Sequence, residues 1–303
     1  MKIYVKRPVV KGAWMWIQKA YHAAWNAAGF EAEYFDNFAD IEDEEFDLMI
    51  REWDLKCAAD IEVVKRSRRS YMFALTNTFP MPWGAHPNYN SQLPDEIIRR
   101  LNAIDNLHLW SFGADMSHHG KWKKVNPLHL AFDSEAYIDV KDEKYAYDIC
   151  YIGGRANNGF DEKFPIMKEY FGKFRHDDLR VGIFIDKNLT HEIENKILCS
   201  SKVCLNIHDK YQRVLVTTDG NERTFKSLGC NGLMVSDAEG LLPKFFPDLP
   251  VAQSAQEMYD LTHHYLKKPE SELDIIRKKY REEVNAQHTY INRVHAAIEF
   301  AND

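Results

Sequence analysis

Short apolar, strand-like runs alternate with helix-like runs along this chain, and the alternation is made twice, with a break between. Lys2–Lys6 alternates and is rich in β-formers, and Arg7-Pro8 ends it. From Ala13 to Ala28, Trp14, Ile17, Ala20, Tyr21, Ala24 and Trp25 recur at the 3.6-residue period of a helix, and Gly29 ends that run. Strand patterns follow at 32–35, 46–50, 71–75 and 107–111, with helical patterns at 54–66 and 95–103 between them. Residues 113–146 carry little periodicity. The pattern then restarts with strands at 147–152, 179–184, 202–207 and 233–235 and helices at 161–172, 190–199 and 221–229. Three more helices close the chain, at 255–266, 272–286 and 289–301. Strands and helices alternating at this spacing predict parallel sheets covered by helices.

A chain of 303 residues is long for one core and suits two domains of about 150 residues. The expected fold is therefore α/β, with two Rossmann-like domains facing a cleft. Residues 1–125 form the first domain, 126–146 the crossing and 147–288 the second domain. The helix at 289–303 is long enough to lean back on the first domain.

Composition narrows the classes. The net charge of −7 argues against a general coat for nucleic acid, though not against a local basic patch. No apolar run approaches the roughly 20 residues that span a bilayer. The N-terminus reads as a strand, not as a signal peptide. Five cysteines, at 57, 150, 199, 204 and 230, sit mostly among apolar neighbours and read as reduced core residues of a cytoplasmic protein. Their spacing is not that of a zinc site, so no metal is expected. No Asp-x-Asp, Walker loop, Gly-x-Gly-x-x-Gly or Gly-x-Ser-x-Gly occurs.

In open parallel sheets, ligands bind beyond the carboxyl ends of the strands. Three such ends in the second half carry polar residues. Gly153-Gly154-Arg155 combines close backbone approach with a guanidinium that can pair with phosphate, although a plain turn has the same letters. His208 ends the run Val203–Ile207, where a histidine serves structure more often than chemistry. Asn221-Glu222-Arg223-Thr224-Phe225-Lys226 opens a helix that Gly229 or Gly232 can end, with Asn221 as its cap. A cation at position 223 opposes the helix dipole unless an anion stands in front of it, while an ordinary αβ unit can also carry a surface arginine there.

The first half offers loops after its own strands, and His86 and His118 are the candidate general bases, because imidazole titrates near neutrality. Surface or packing histidines would look the same. Lys65-Arg66-Ser67-Arg68-Arg69 and Lys121-Trp122-Lys123-Lys124 are basic clusters, one with an aromatic residue between the lysines, and solvated surface accounts for both.

Asn221-x-Arg223-Thr224-Phe225, followed by Gly229-Cys230-x-Gly232 and an apolar strand, resembles the spore-maturation-protein-like glycosyltransferases of the broad group-one clan. Residues 147–154, Ser201–His208, Pro127–Asp133 and His288-Thr289-Tyr290 with Arg293 resemble the same family in order and spacing. The likeness covers about 125–303, and the first half matches in architecture alone. It implies a GT-B fold, with a nucleotide-diphosphate sugar bound by the C-terminal domain and the acceptor by the N-terminal one. It implies that Asn221–Phe225 meets the diphosphate, helped by Arg223 and Arg155. It also implies a glutamate at position 226 for the nucleotide ribose. Lys226 stands there instead, and it can meet a phosphate or leave the ribose to Glu222.

The expected function is transfer of a sugar from that donor, with no further cofactor, to an unknown acceptor. A glycan or surface polymer is the default acceptor and a modified DNA base the minority one. A non-catalytic nucleotide- or partner-binding module, motivated by Lys226, and a sugar-nucleotide epimerase are the alternatives.

Overall fold

A computed structural model describes residues 1–8, 13–74, 93–112, 119–155, 163–208, 221–237 and 242–302. The chain divides into two compact units, Met1–His129 with Tyr290–Asp303, and Leu130–Thr289.

The first unit contains β1 (Lys2–Lys6), α1 (Ala13–Ala27), β2 (Glu31–Phe35), β3 (Asp47–Arg51), α2 (Ala58–Arg66), β4 (Arg69–Phe73), α3 (Asp95–Asn102), β5 (Leu107–Ser111) and β6 (Val125–Pro127). All six strands are parallel, in the order β2-β1-β3-β4-β5-β6. Ile17, Ala20, Tyr21, Ala24 and Trp25 form the buried stripe of α1, as their period predicts. Gly29 takes φ +89° to turn the chain from α1 into β2. β3, a central strand, is buried along its whole length, Asp47 included. The Asp47 carboxylate is matched by Arg68, whose Nε and Nη2 donate to it at 2.9 and 2.6 Å.

β6 lies where the sequence predicts an unpatterned crossing. Its three residues align Leu109 with Val125 and Ser111 with Pro127 at the sheet's edge. An edge tolerates a residue with no N–H to give. The basic clusters also differ from their sequence appearance. Trp122 is a buried core residue, not an exposed stacking face. Lys65 pairs with Glu62, Arg68 with Asp47 and Lys121 with Asp95, while Arg66 donates to the carbonyls of Asp43 and Ile41.

The second unit contains β7 (Ile149–Gly153), α4 (Lys163–Gly172), β8 (Val181–Ile185), α5 (His191–Ser200), β9 (Val203–Asn206), α6 (Glu222–Cys230), β10 (Met234–Ser236), α7 (Leu242–Phe245), α8 (Ala255–Leu266) and α9 (Glu270–Gln287). Its sheet is parallel, in the order β10-β9-β7-β8. Every strand's carboxyl end therefore lies on one edge. Thr190 caps α5, accepting from the Ile193 N–H at 3.3 Å, and Ser254 caps α8. Gly232, not Gly229, takes the left-handed conformation after α6, with φ +82°. Gly229 stays helical and lets the Phe132 ring approach the helix. Four of the cysteines are buried as expected, but Cys57 is exposed. The last helix, α10 (Tyr290–Phe300), belongs to the first unit, where Tyr290 packs its ring 4.9 Å from that of Tyr21. Among the described residues, no helix is long and apolar enough to cross a membrane.

Candidate functional site

Polar groups converge at the carboxyl edge of the second sheet, around the first turn of α6. Asn221 caps the helix, its Oδ1 accepting from the Thr224 N–H at 3.0 Å. Its Nδ2 donates to Asn206 Oδ1 at 3.1 Å. Thr224 is fully buried, with its hydroxyl 3.2 Å from Asn221 Oδ1. The start of α6 is thus tied to the end of β9.

Arg223 reaches back over the strand ends. Its Nε donates to the Ile152 carbonyl at 2.8 Å, and Nη1 to Asn206 Oδ1 at 2.9 Å and the Ile207 carbonyl at 3.0 Å. The guanidinium carbon lies 4.8 Å from the centre of the Tyr151 ring. All these partners are formally neutral, and among the described residues Nη2 has no hydrogen-bond partner. A Cβ at Gly153 would fall 2.7 Å from Nη2 and 2.7 Å from the Tyr151 hydroxyl, so only glycine leaves this guanidinium where it is. The other enclosed arginines with described ion pairs differ. Arg51 is matched by Asp54, and Arg277 by Glu270 and Asp274. At Arg223 the dipole of the helix start adds to a cation that has no ion pair among the described residues. The arrangement can receive an anion with at least two acceptor oxygens.

The remaining expected residues divide. Gly153 lies in the cluster, and Gly154 follows it. Arg155 is exposed and pairs with Asp186 at 3.2 Å. His208 is buried, its Nδ1 2.7 Å from Asp237 Oδ1 and its backbone N–H 3.0 Å from both oxygens of the same carboxylate. A carboxylate only accepts, so Nδ1 carries the proton. Phe225 lies in the core, its ring centre 5.6 Å from that of His288 and 6.2 Å from that of Phe246. Glu222 is half-buried in the first turn.

Lys226 is engaged by a carboxylate of α5. Its Nζ meets Glu194 Oε1 at 2.8 Å, and the other oxygen of Glu194 accepts from the Tyr137 hydroxyl at 2.7 Å. Burial pushes the Glu194 carboxyl up, but the Lys226 ammonium and the hydrogen bonds from Lys226 and Tyr137 outweigh it and hold the carboxyl below its usual range. Burial likewise disfavours the charged lysine, and Glu194 with Glu222 more than offsets this, so Lys226 is raised.

His86 and His118 lie outside the described residues. Sequence reasoning missed Asn206 and Asp237. The strand-end rule that selected His208 could have selected Asp237, which directly follows β10. Among the described residues, no group of three or more His, Cys, Asp or Glu could hold a metal ion. A cavity of about 320 Å³ opens at the opposite end of α6, between Phe132, Tyr137, Cys230 and Arg281.

Residues 155–299 match the family model described as glycosyl transferase-like. No curated protein matches the chain in sequence. Among solved structures, the chain is similar to T4 phage BGT in complex with its UDP-glucose substrate, at 11% identity over 100% of this chain and 98% of that one, with a TM-score of 0.59. It is also similar to an alpha-glucosyltransferase in complex with UDP and a 13-mer DNA containing an HMU base, at 11% identity over 100% and 99%, with a TM-score of 0.60. The N-terminal domain of Candida albicans trehalose-6-phosphate phosphatase gives 9% identity over 99% and 96%, with a TM-score of 0.55. Identities this low speak for the fold. The chain has the GT-B architecture of two Rossmann-like domains, and the stretch that matches the glycosyl transferase-like model includes Arg223 and the start of α6.

Proposed function

We propose that the protein transfers a sugar from a uridine-diphosphate donor, and that the donor's diphosphate lies against Arg223 and the start of α6. The observation that carries this reading is a guanidinium whose hydrogen bonds among the described residues all go to neutral oxygens and do not use Nη2, at a helix N-terminus and at strand carboxyl ends. Anion binding at such a place needs no other device. The same groups would stabilise the charge that gathers on the departing diphosphate, which is the main way such a site lowers a barrier. The choice of uridine is supported by the UDP and UDP-glucose complexes among the similar structures. The motif from Asn221 to Gly232 supports a place among the spore-maturation-protein-like glycosyltransferases.

Gly153, Gly154, Asn221, Arg223 and Thr224 form the proposed donor site, with His208 at its edge and Glu222 toward the ribose. The first unit is the proposed acceptor domain, and His86 and His118 are the proposed bases there. A glycan or polymer hydroxyl is the favoured acceptor. The basic clusters that could have argued for DNA are largely committed to carboxylates and carbonyls.

The test is thermal shift followed by calorimetry with UDP, GDP, ADP and CDP. UDP should raise the midpoint by mass action. Arg223→Ala should weaken UDP binding about 10- to 100-fold, since hydrogen bonds to charged groups contribute about 1.5–3 kcal/mol. No response to any nucleotide, or an Arg223→Ala protein that binds UDP like the wild type, would refute the reading.

A further inference from the structure

Asn206 is fully buried at the end of β9, and its amide is saturated. Its Oδ1 accepts from Arg223 Nη1 at 2.9 Å and from Asn221 Nδ2 at 3.1 Å. Its Nδ2 donates to Thr224 Oγ1 at 3.0 Å and to Ser236 Oγ at 3.3 Å. Four contacts fill both acceptor positions and both donor positions of the side chain. The amide's orientation is also fixed, because a flipped amide would set its NH₂ against the guanidinium and the Asn221 NH₂. One side chain therefore links β9, β10 and three of the first four residues of the α6 start.

The chemistry of the acceptor is as important as its position. A carboxylate at position 206 would accept the same two hydrogen bonds with the same shape. It would also make with Arg223 the kind of charged pair that Asp54 makes with Arg51. The amide holds the guanidinium without cancelling its charge.

The geometry points to Asn206 as the positioning residue of this anion site, one that orients Arg223 and keeps its positive charge available to a diphosphate-class ligand. This rests on the donor reading above, because it assigns the anion to Arg223.

The role separates from plain packing by the order of two substitutions. If Asn206 only fills space and satisfies neighbours, the isosteric Asn206→Asp is the milder change and Asn206→Ala the harsher. If it keeps the guanidinium's charge available, the order for anion binding reverses. Asn206→Ala loosens Arg223 and should lower affinity about 3- to 10-fold, the range of one ordinary hydrogen bond. Asn206→Asp adds the competing carboxylate and should lower it well beyond tenfold, with the melting temperature closer to wild type than that of Asn206→Ala.

Calorimetry with inorganic pyrophosphate and with UDP, on wild type and both variants, reads this directly. The order wild type, then Ala, then Asp for both probes supports the assignment. An Asp variant that binds pyrophosphate as tightly as wild type or more tightly than Ala overturns it, and so does an Ala variant indistinguishable from wild type, which keeps the test decisive if the Asp variant fails to fold. Wild-type protein that binds pyrophosphate but not UDP overturns the uridine-donor reading and leaves the Asn206 order to be read with pyrophosphate. Wild-type protein that binds neither overturns both.

Discussion

Replacing Lys226 by Met removes the ammonium that neutralises Glu194 and leaves the carboxylate beneath α6 with the Tyr137 hydroxyl as its remaining side-chain hydrogen bond among the described residues. The two charged side chains are 14% and 12% exposed, so water reaches them only partly. Breaking a buried pair by removing one partner costs about 3–5 kcal/mol, and the residual exposure places this one near 3 kcal/mol. The second unit, residues 130–289, is of a size at which each kcal/mol shifts the melting temperature by about 2–4 °C, so a fall of about 6–12 °C is expected at pH 7. The loss should depend on pH. In the wild type the folded-state pKa of Glu194 lies below its unfolded value, so its contribution is present above the unfolded pKa and is lost as pH falls through the folded one. Without Lys226, burial, the largest influence, is opposed by the Tyr137 hydrogen bond and the His191 charge alone, so the carboxyl rises, destabilises the fold at neutral pH and ceases to do so once it is protonated. The gap between variant and wild type should therefore narrow from pH 7 toward about pH 4.5, near the unfolded carboxyl pKa. Glu194→Gln in the same protein removes the stranded charge and keeps an acceptor for Tyr137, so it should recover most of the loss. Lys226→Glu, the residue expected from the family resemblance, sets two carboxylates together and should be at least as harmful as Met. Thermal unfolding followed by circular dichroism at the two pH values is the assay. A fall under about 2 °C at pH 7, or one of equal size at both pH values, would refute the pairing argument.

Two glycines give further tests. Gly153→Ala puts a methyl group 2.7 Å from both Arg223 Nη2 and the Tyr151 hydroxyl, and the guanidinium is the group able to move. UDP affinity should fall about tenfold with a stability loss of about 1 kcal/mol, and unchanged affinity in calorimetry would refute the placement of Nη2. Gly232→Ala combines φ +82° with a methyl group driven onto the carbonyl oxygen of Arg277 in α9. A rigid backbone atom cannot swing aside, so a loss above about 3 kcal/mol or failure to fold is expected, and denaturant unfolding within 1 kcal/mol of wild type would contradict it.

The alternation of strands and helices, the caps at Thr190 and Asn221 and the edge on which polar residues gather were legible because each depends on neighbours in sequence. What stayed hidden depends on partners far along the chain. β6 is three residues with a proline and becomes a strand only when β5 supplies the register. Trp122 sits among lysines in sequence yet is buried with the core of the first unit. Phe225 lies inside the motif and is buried among aromatic rings from α7 and the end of α9. Asn206 reads as the tail of an apolar strand, and its four partners come from α6, its cap and β10.

The two cations of α6 show how such partners decide function. Arg223 and Lys226 are three residues apart, and in sequence either can be given to a phosphate. Lys226 meets a carboxylate from α5 that is itself nearly enclosed, so its charge is cancelled on the spot. To turn to a ligand it would have to abandon Glu194 as a buried, unmatched anion, a cost of several kcal/mol that a phosphate contact of about 1.5–3 kcal/mol does not offset. Arg223 surrenders nothing on meeting an anion, because its carbonyl and amide contacts leave Nη2 and the net charge in place. The lysine at 226 therefore argues against anion binding only if it is considered without Glu194. With Glu194 present, Lys226 is part of the support beneath the helix, and the proposed donor reading therefore assigns the ribose-binding carboxylate to Glu222 in the first turn.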